Sequence, residues 1–130
     1  MTNKLTFLLL TLTLTSCFFS NYESEKIKSS TGNFEIQATV YRTDNNAENY
    51  ADVIIHLFDK NNKKLTELNT GAGDANKWTI GWTKSRDTIV LQSSDIGNKA
   101  WIIQNGNPSE IKMTDELNER AEILKSEKYE

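Results

Sequence analysis

The alternation of apolar and polar residues behind the first 32 positions predicts a series of β-strands. Every second residue from 34 to 40 is apolar, which is the period of a strand with one buried face. Apolar residues fall on both faces from 52 to 58, so this strand is expected to be covered on both sides. A weaker strand is predicted at 65–68, and short strands at 101–103 and 111–113.

The middle of the chain predicts a β-hairpin and its register. Two strands with apolar residues at every second position flank a turn at 84–87. If the Lys and the Asp at the two ends of this turn lie opposite each other, Trp82 pairs with Ile89 and Ile80 with Leu91. One register then satisfies both the charges and the apolar face.

The period changes after the last strand. Apolar residues recur at i, i+4 and i+7 from Leu117, which predicts a helix over 114–129. Thr114 or Asp115 can cap its N-terminus. We expect this helix to dock on the second face of the strand at 52–58. The fold class is therefore predicted as mainly β, a single small antiparallel sheet or sandwich of about seven strands with a C-terminal α-helix.

Residues 78–103 resemble one blade of a β-propeller, in which a Trp-bearing strand and a turn precede an apolar strand. The resemblance is confined to this segment, and no second copy follows at a period of roughly 40 to 50 residues, although a propeller needs several blades. A single four-stranded meander accounts for the same residues.

The first residues have a different organisation. Lys4 is followed by an apolar stretch from Leu5 to Leu14 and then by small residues. This order is that of a secretory leader, and the stretch is too short for a membrane-spanning helix, which needs about 20 apolar residues. We predict a signal peptide over 1–16.

The end of the leader, Leu14-Thr15-Ser16-Cys17, resembles the lipobox of bacterial lipoproteins, with Leu three residues before the cysteine and a small residue just before it. The resemblance covers only residues 1–17. It implies diacylglycerol on Cys17, cleavage before it, and attachment to the cell envelope through the lipid. Because Phe18 rather than Asp follows the cysteine, the resemblance implies the outer membrane of a didermal bacterium.

Composition sets the domain boundaries and excludes some classes of function. Residues 17–32 are mostly polar and are predicted to be the lipidated N-terminus and a flexible tether, which leaves 33–130 as one β-rich domain. Cys17 is the only cysteine, so the domain can form no disulfide or thiolate metal site. A formal net charge of −3 argues against a nucleic-acid partner.

Candidate catalytic chemistry is sparse. The only histidine, His56, lies inside an apolar strand without a second histidine to share a metal, so we interpret it as structural. The glycines at 71 and 73 lack the lysine and the strand-to-helix context of a phosphate loop. We therefore predict no catalytic residue, metal or cofactor.

Alternate connections of an antiparallel meander emerge at the same end of the sheet. The longer connections, 43–50, 69–76 and 93–98, are thus expected at one end, and the turns at 59–63, 84–87 and 104–108 at the other. Longer loops more often carry binding residues. The candidate binding residues are Asp44, Glu48, Asp74, Asn76, Ser93, Ser94 and Asp95, with Trp78 and Trp101 at adjacent strand ends.

These residues make the longer-loop end acidic and predict a site for a basic partner surface or, as an alternative, a cation. Ordinary turn chemistry accounts for the same residues. Our first functional hypothesis is a non-catalytic, lipid-anchored protein-binding module, of accessory, inhibitory or immunity type, whose partner is an envelope or secreted protein. The alternative is a binder or hydrolase of cell-wall or other polysaccharide that uses the tryptophans and carboxylates.

Overall fold

The computed structural model describes residues 21–41 and 51–130. This part of the chain forms two antiparallel β-sheets and one α-helix. None of its helices is long and apolar enough to cross a membrane. The elements are β1 Tyr22–Glu23, β2 Ile27–Lys28, β3 Phe34–Val40, β4 Asp52–Asp59, β5 Lys64–Gly73, β6 Trp78–Trp82, β7 Thr88–Ser93, β8 Lys99–Gln104, β9 Asn107–Ile111 and α1 Asp115–Tyr129.

Each sheet is built from strands that are neighbours in the sequence. In the first sheet β1 and β2 both pair with β3, which is followed by β4 and β5, and the second sheet has the order β6-β7-β8-β9. The predicted hairpin register is confirmed, since Trp82 pairs with Ile89 and Ile80 with Leu91. The prediction of a mainly β, antiparallel fold with a C-terminal helix is also confirmed.

The hydrophobic core lies between the two sheets. The alternation that marked each strand in the sequence sends one set of side chains into this layer. The three tryptophans of the second sheet are at most 4% exposed, and Ile80, Ile89 and Leu91 at most 5%. The core side chains are Ile36, Ala38, Val40, Val53, Ile55, Leu57, Ala72, Trp78, Ile80, Trp82, Ile89, Leu91 and Trp101.

The helix packs on the outer face of the second sheet. The prediction that it docks on the strand at 52–58, now β4, is wrong. Leu117, Ala121 and Leu124 form a second buried cluster with Val90 and Ala100. Small residues on this face let the helix approach closely, whereas the outer face of β4 carries a hydrogen-bonded histidine. The N-terminus is capped as predicted, because the Thr114 side chain accepts a hydrogen bond from the backbone N–H of Leu117 at 3.2 Å.

Residues 21–32 belong to the folded domain, which differs from the predicted tether over 17–32. The Ser24 side chain accepts a hydrogen bond from Ala38 N at 2.8 Å, and Ser24 N donates to Ala38 O. Ile27 packs against the core, and its carbonyl accepts from Trp82 Nε1 at 2.9 Å. A polar composition does not exclude such a segment, because edge pairing uses backbone groups and needs only one apolar contact.

β5 is longer than the predicted strand at 65–68 and includes part of the predicted Gly-rich loop. The register shifts between the pairs Asp52–Gly73 and Ile54–Asn69, where two extra residues of β5 form a bulge. Gly71 has a φ of 77°, a conformation that glycine adopts without strain. The glycines therefore bend an edge strand instead of forming an open loop.

Candidate functional site

The strands run between two ends of the sandwich, and the described parts of the longer connections lie together at one of them. Asp74 N donates to Ala51 O at 3.1 Å, and Gly73 N donates to Asp95 Oδ2 at 2.9 Å. We call this the loop end, and it comprises 21–22, 41, 51, 74–77, 94–98 and 128–129. The opposite, turn end carries the tight connections of 59–63, 83–87 and 105–106.

The two predicted acidic residues that the structure describes act within the fold. Asp74 Oδ1 accepts a hydrogen bond from the indole Nε1 of Trp78 at 3.0 Å. Asp95 ties its loop to Gly73, as above. Asp44 and Glu48 lie outside the described residues. The two carboxylates therefore hold the loops together, and the structure gives the predicted acidic surface no further support.

The remaining predicted residues divide between surface and core. Asn76 and Ser94 are exposed at the loop end, whereas Ser93 is buried and its hydroxyl accepts from Asp95 N and Ile96 N, both at 3.1 Å. Trp78 lies at this end but is only 4% exposed.

Trp101 is not brought to the loop end. It pairs with Ile89, in the row that contains Trp82, closer to the turn end. All three tryptophans are at most 4% exposed, so none presents a ring face on which a sugar could stack.

A cleft of about 270 Å³ surrounds the edge of Trp78 at the loop end. The Tyr22 ring meets the Trp78 ring edge-on, with centroids 5.7 Å apart, and Lys128 Nζ lies 3.8 Å from the Trp78 ring centroid. The lining residues are Asn21, Tyr22, Asp74, Asn76, Trp78, Lys128 and Tyr129. Sequence reasoning missed Asn21, Tyr22, Lys128 and Tyr129, because they lie far from the predicted loops in sequence.

A second feature lies along β6, which is the edge strand of its sheet. Ser94 N donates to Lys77 O and Thr83 N donates to Thr88 O, so the odd-numbered residues from 77 to 83 direct their backbone groups to β7. The backbone N–H and C=O of the even-numbered residues, Trp78, Ile80 and Trp82, therefore face the open edge.

Side chains of α1 hydrogen-bond to backbone groups at both ends of this edge. The Tyr129 hydroxyl accepts from Trp78 N at 3.0 Å and donates to Trp78 O at 2.9 Å, and Lys128 Nζ donates to the same carbonyl at 2.6 Å. Arg120 Nε donates to Trp82 O at 2.8 Å. The N–H and C=O of Ile80, between them, have no hydrogen-bond partner among the described residues.

The open backbone lies in a groove of about 340 Å³, which we call the β6 groove. One wall is the segment 27–30, fixed to the second sheet by hydrogen bonds from Ser30 Oγ to Thr83 O and from Thr31 Oγ1 to Asp87 Oδ1. The other wall is α1, through Arg120, Leu124, Glu127 and Lys128. The groove is lined by Ile27, Lys28, Ser30, Thr79, Ile80, Gly81, Trp82, Arg120, Leu124, Glu127 and Lys128.

Comparison with known proteins adds no relative. No protein-family model, curated protein or solved structure matches the chain. Function is therefore argued from the geometry of these sites.

A third arrangement crosses the outer face of the first sheet. Thr39 Oγ1 lies 2.6 Å from His56 Nε2, and His56 Nδ1 lies 3.4 Å from Glu67 Oε1, so that a hydroxyl, an imidazole and a carboxylate are aligned across β3, β4 and β5. The order resembles that of a nucleophile, a base and an orienting acid. Thr39 is only 3% exposed, however, and lies within a paired strand. A substrate carbonyl therefore has no access to its hydroxyl.

Electrostatics at this row also favour a structural role. Burial, followed by the nearby charge of Lys64, lowers the pKa of His56 below its ordinary value of 6.5. The Lys64 ammonium hydrogen-bonds to Glu67 and lowers the pKa of that carboxyl. Within the part of the chain that the structure describes, no three His, Cys, Asp or Glu side chains are grouped as metal ligands. The row is best interpreted as a polar network that links three strands.

Proposed function

We propose that this protein is a lipid-anchored envelope lipoprotein that binds an extended, acidic segment of a partner protein as an added strand along β6. The observation that carries the proposal is the position of Ile80, whose outward N–H and C=O lie in the β6 groove without a partner among the described residues. Such a pair of backbone groups is the minimal template for pairing with another chain.

The contacts at either side of Ile80 are suited to exchange. Trp82 O accepts from Arg120, and Trp78 O accepts from Lys128 as well as from the Tyr129 hydroxyl. The long Arg120 and Lys128 side chains can move aside without disturbing the core, while Tyr129 stays bonded to Trp78. An incoming strand would supply backbone N–H groups to these carbonyls. The displaced ammonium and guanidinium groups would then be free to pair with carboxylates of the incoming segment.

Charge selects an acidic partner. The groove is lined by three cationic side chains, Lys28, Arg120 and Lys128, and by one anionic side chain, Glu127. The chain as a whole has a formal charge of −3, so the groove is a basic region on an acidic protein. Complementary charge across an interface raises the association rate and discriminates among partners. A partner segment rich in Asp and Glu satisfies this condition.

Two observations place this proposal ahead of glycan binding or hydrolysis. The tryptophans on which a sugar could stack are buried. The one alignment of hydroxyl, imidazole and carboxylate seen in the structure lies beneath the surface, with Thr39 inaccessible. Attachment to the envelope is supported by the lipobox resemblance at Leu14–Cys17.

Site-specific photo-crosslinking in living cells tests the proposal. A photo-reactive amino acid at position 28, in the groove wall, is expected to give a discrete crosslinked product with an envelope or secreted protein. The same amino acid at position 60, an exposed lysine at the turn end, is the matched control and is expected to give none. Lys28→Glu should weaken capture of that partner, and Lys60→Glu should not.

The mode of binding is read from amide hydrogen exchange with a synthetic peptide of the crosslinked segment. Strand addition should slow exchange of the outward-facing amides of Ile80 and Trp82 while leaving the ladder amides of Thr79 and Gly81 unchanged. Equal crosslinking at positions 28 and 60, or a bound peptide that leaves the Ile80 amide unprotected, would rule out the β6 groove as the binding site.

A further inference from the structure

The folded domain begins at the loop end of the sandwich. Tyr22 pairs with Val40 at the last position of β3, and Asn21 lines the cleft beside Trp78. Cys17 precedes Asn21 by four residues. Four fully extended residues span at most about 14 Å. A lipid attached to Cys17 therefore keeps Asn21, at the loop end, within about that distance of the bilayer.

The same end carries most of the exposed apolar side chains. Six large apolar residues are exposed in the described part of the chain, and only Leu65 and Ile123 lie away from the loop end. The four at the loop end are Tyr22, Tyr41, Ile96 and Tyr129, which are 42, 56, 39 and 38% exposed. Tyrosine is one of the side chains enriched at membrane–water interfaces, since its ring is apolar and its hydroxyl is polar.

We propose that the loop end docks on the lipid headgroup layer, with Tyr22, Tyr41, Ile96 and Tyr129 inserted among the headgroups. The proposal rests on the anchoring at Cys17 that forms part of the proposed function. The headgroup region is roughly 5 to 7 Å thick on each side of the bilayer. This thickness is less than the span of about 14 Å that the chain from Cys17 to Asn21 can reach. Contact between this end and the lipid is thus compatible with the anchor.

Charge agrees with this orientation. Lys77 stands at the loop end, with its ammonium group 5.2 Å from the Tyr129 ring centroid. From this position it can extend toward a lipid phosphate while its methylenes stay against the aromatic ring. The carboxylates of Asp74 and Asp95 are turned to Trp78 and Gly73 by hydrogen bonds.

This orientation leaves the β6 groove accessible. The strands run between the loop end and the turn end, so docking at the loop end orients them roughly perpendicular to the membrane surface. The groove then opens sideways, and the turn end points away from the lipid. A partner could therefore reach β6 without displacing the domain from the membrane.

A single introduced cysteine tests the proposal, because the native Cys17 thiol is consumed by acylation. The full acylated protein carrying Ile96→Cys is labelled with a polarity-sensitive fluorophore. It is then reconstituted in vesicles of phosphatidylethanolamine and phosphatidylglycerol that contain a headgroup-linked quencher lipid. Ile123→Cys is the matched control, since Ile123 is 41% exposed and Ile96 is 39% exposed. A label at 96 should shift to shorter wavelength and lose most of its emission, whereas a label at 123 should keep both.

Flotation with the vesicles separates the two proposals. A chain that floats while its label at 96 remains as hydrated as that at 123 overturns the docking proposal and leaves the anchor standing. A blue shift at 96 without quenching indicates cover by protein and also overturns docking. Failure to float overturns the anchor and with it the docking.

Discussion

The outer faces of the two sheets are covered in opposite ways. On the second sheet, α1 buries Val90 and Ala100 under an apolar stripe. On the first sheet, the buried residues Thr39 and His56 are joined to Glu67 by polar contacts. Apolar cover stabilises the fold at any pH, whereas cover that includes a titratable ring makes the stability depend on protonation. The same sandwich thus has one face that is insensitive to acid and one that is sensitive.

The apolar face should show the largest effect of mutation. Leu124→Ala removes a buried side chain that contacts the sheet and is expected to lower the free energy of unfolding by about 2 to 4 kcal/mol. Ile123→Ala, at the neighbouring exposed position, is the control and should change it by less than about 0.5 kcal/mol. Urea denaturation measures both. Equal effects of the two substitutions would show that the helix does not cover the sheet.

A smaller effect is expected at Gly81, where the sheet and helix are closest. A Cβ built on Gly81 would lie 2.5 Å from Leu124 Cδ2. Gly81→Ala should therefore cost about 1 to 3 kcal/mol through overpacking. The double variant with Leu124→Ala should cost less than the sum of the single variants, because the new methyl group enters the space that the leucine leaves. Strict additivity in this double-mutant cycle would contradict the close approach.

The polar face should produce the smallest effect, seen as a pH dependence. The pKa of His56 is lowered in the folded state, so the unfolded chain takes up the proton first as the pH falls. Stability is therefore full above about pH 6.5 and declines as the pH falls from there toward the folded-state pKa. Thermal midpoints between pH 7.5 and 5 would measure this decline.

The groups that face His56 are Thr39, Glu67, Lys64 and Glu23. Because it is the only histidine, no other side chain has its ordinary pKa in this range. His56→Gln should therefore flatten the pH profile, while Leu124→Ala should shift the whole profile downward without changing its shape. A profile that stays the same in His56→Gln would assign the pH dependence to another group.

Side-chain periodicity predicted where the strands and the helix lie in the sequence better than it predicted what they pack against. The alternation around Trp82 and Ile89 was sufficient for the hairpin register, because a shift of one residue would expose the apolar face. The i, i+4 spacing from Leu117 was sufficient for the helix. Neither pattern carries information about which sheet face receives the helix, since that depends on small residues such as Gly81 and on the polar contacts of His56.

The sites were less predictable for a related reason. The edge position of β6 is a property of backbone pairing, and the alternation of Trp78 and Trp82 reports only which side chains face the core. Residues 21–32 were assigned to a tether from their polar composition, although Ser24 and Ser29 use their side chains to complete an edge. The loop-end carboxylates were recognised as a group, but their hydrogen bonds within the fold depend on distances that sequence spacing does not give.

The separation of the two sheets along the chain has a consequence for folding kinetics. Every strand pairs only with strands close to it in sequence, since the first sheet is complete by Gly73 and the second begins at Trp78. Such local pairing closes short loops and lowers the contact order relative to a Greek-key sandwich, which favours rapid formation of each sheet. The contacts with the greatest sequence separation join the sheets, such as that from Trp82 Nε1 to Ile27 O. The docking of two preformed meanders, rather than the pairing of strands, would then determine the folding rate.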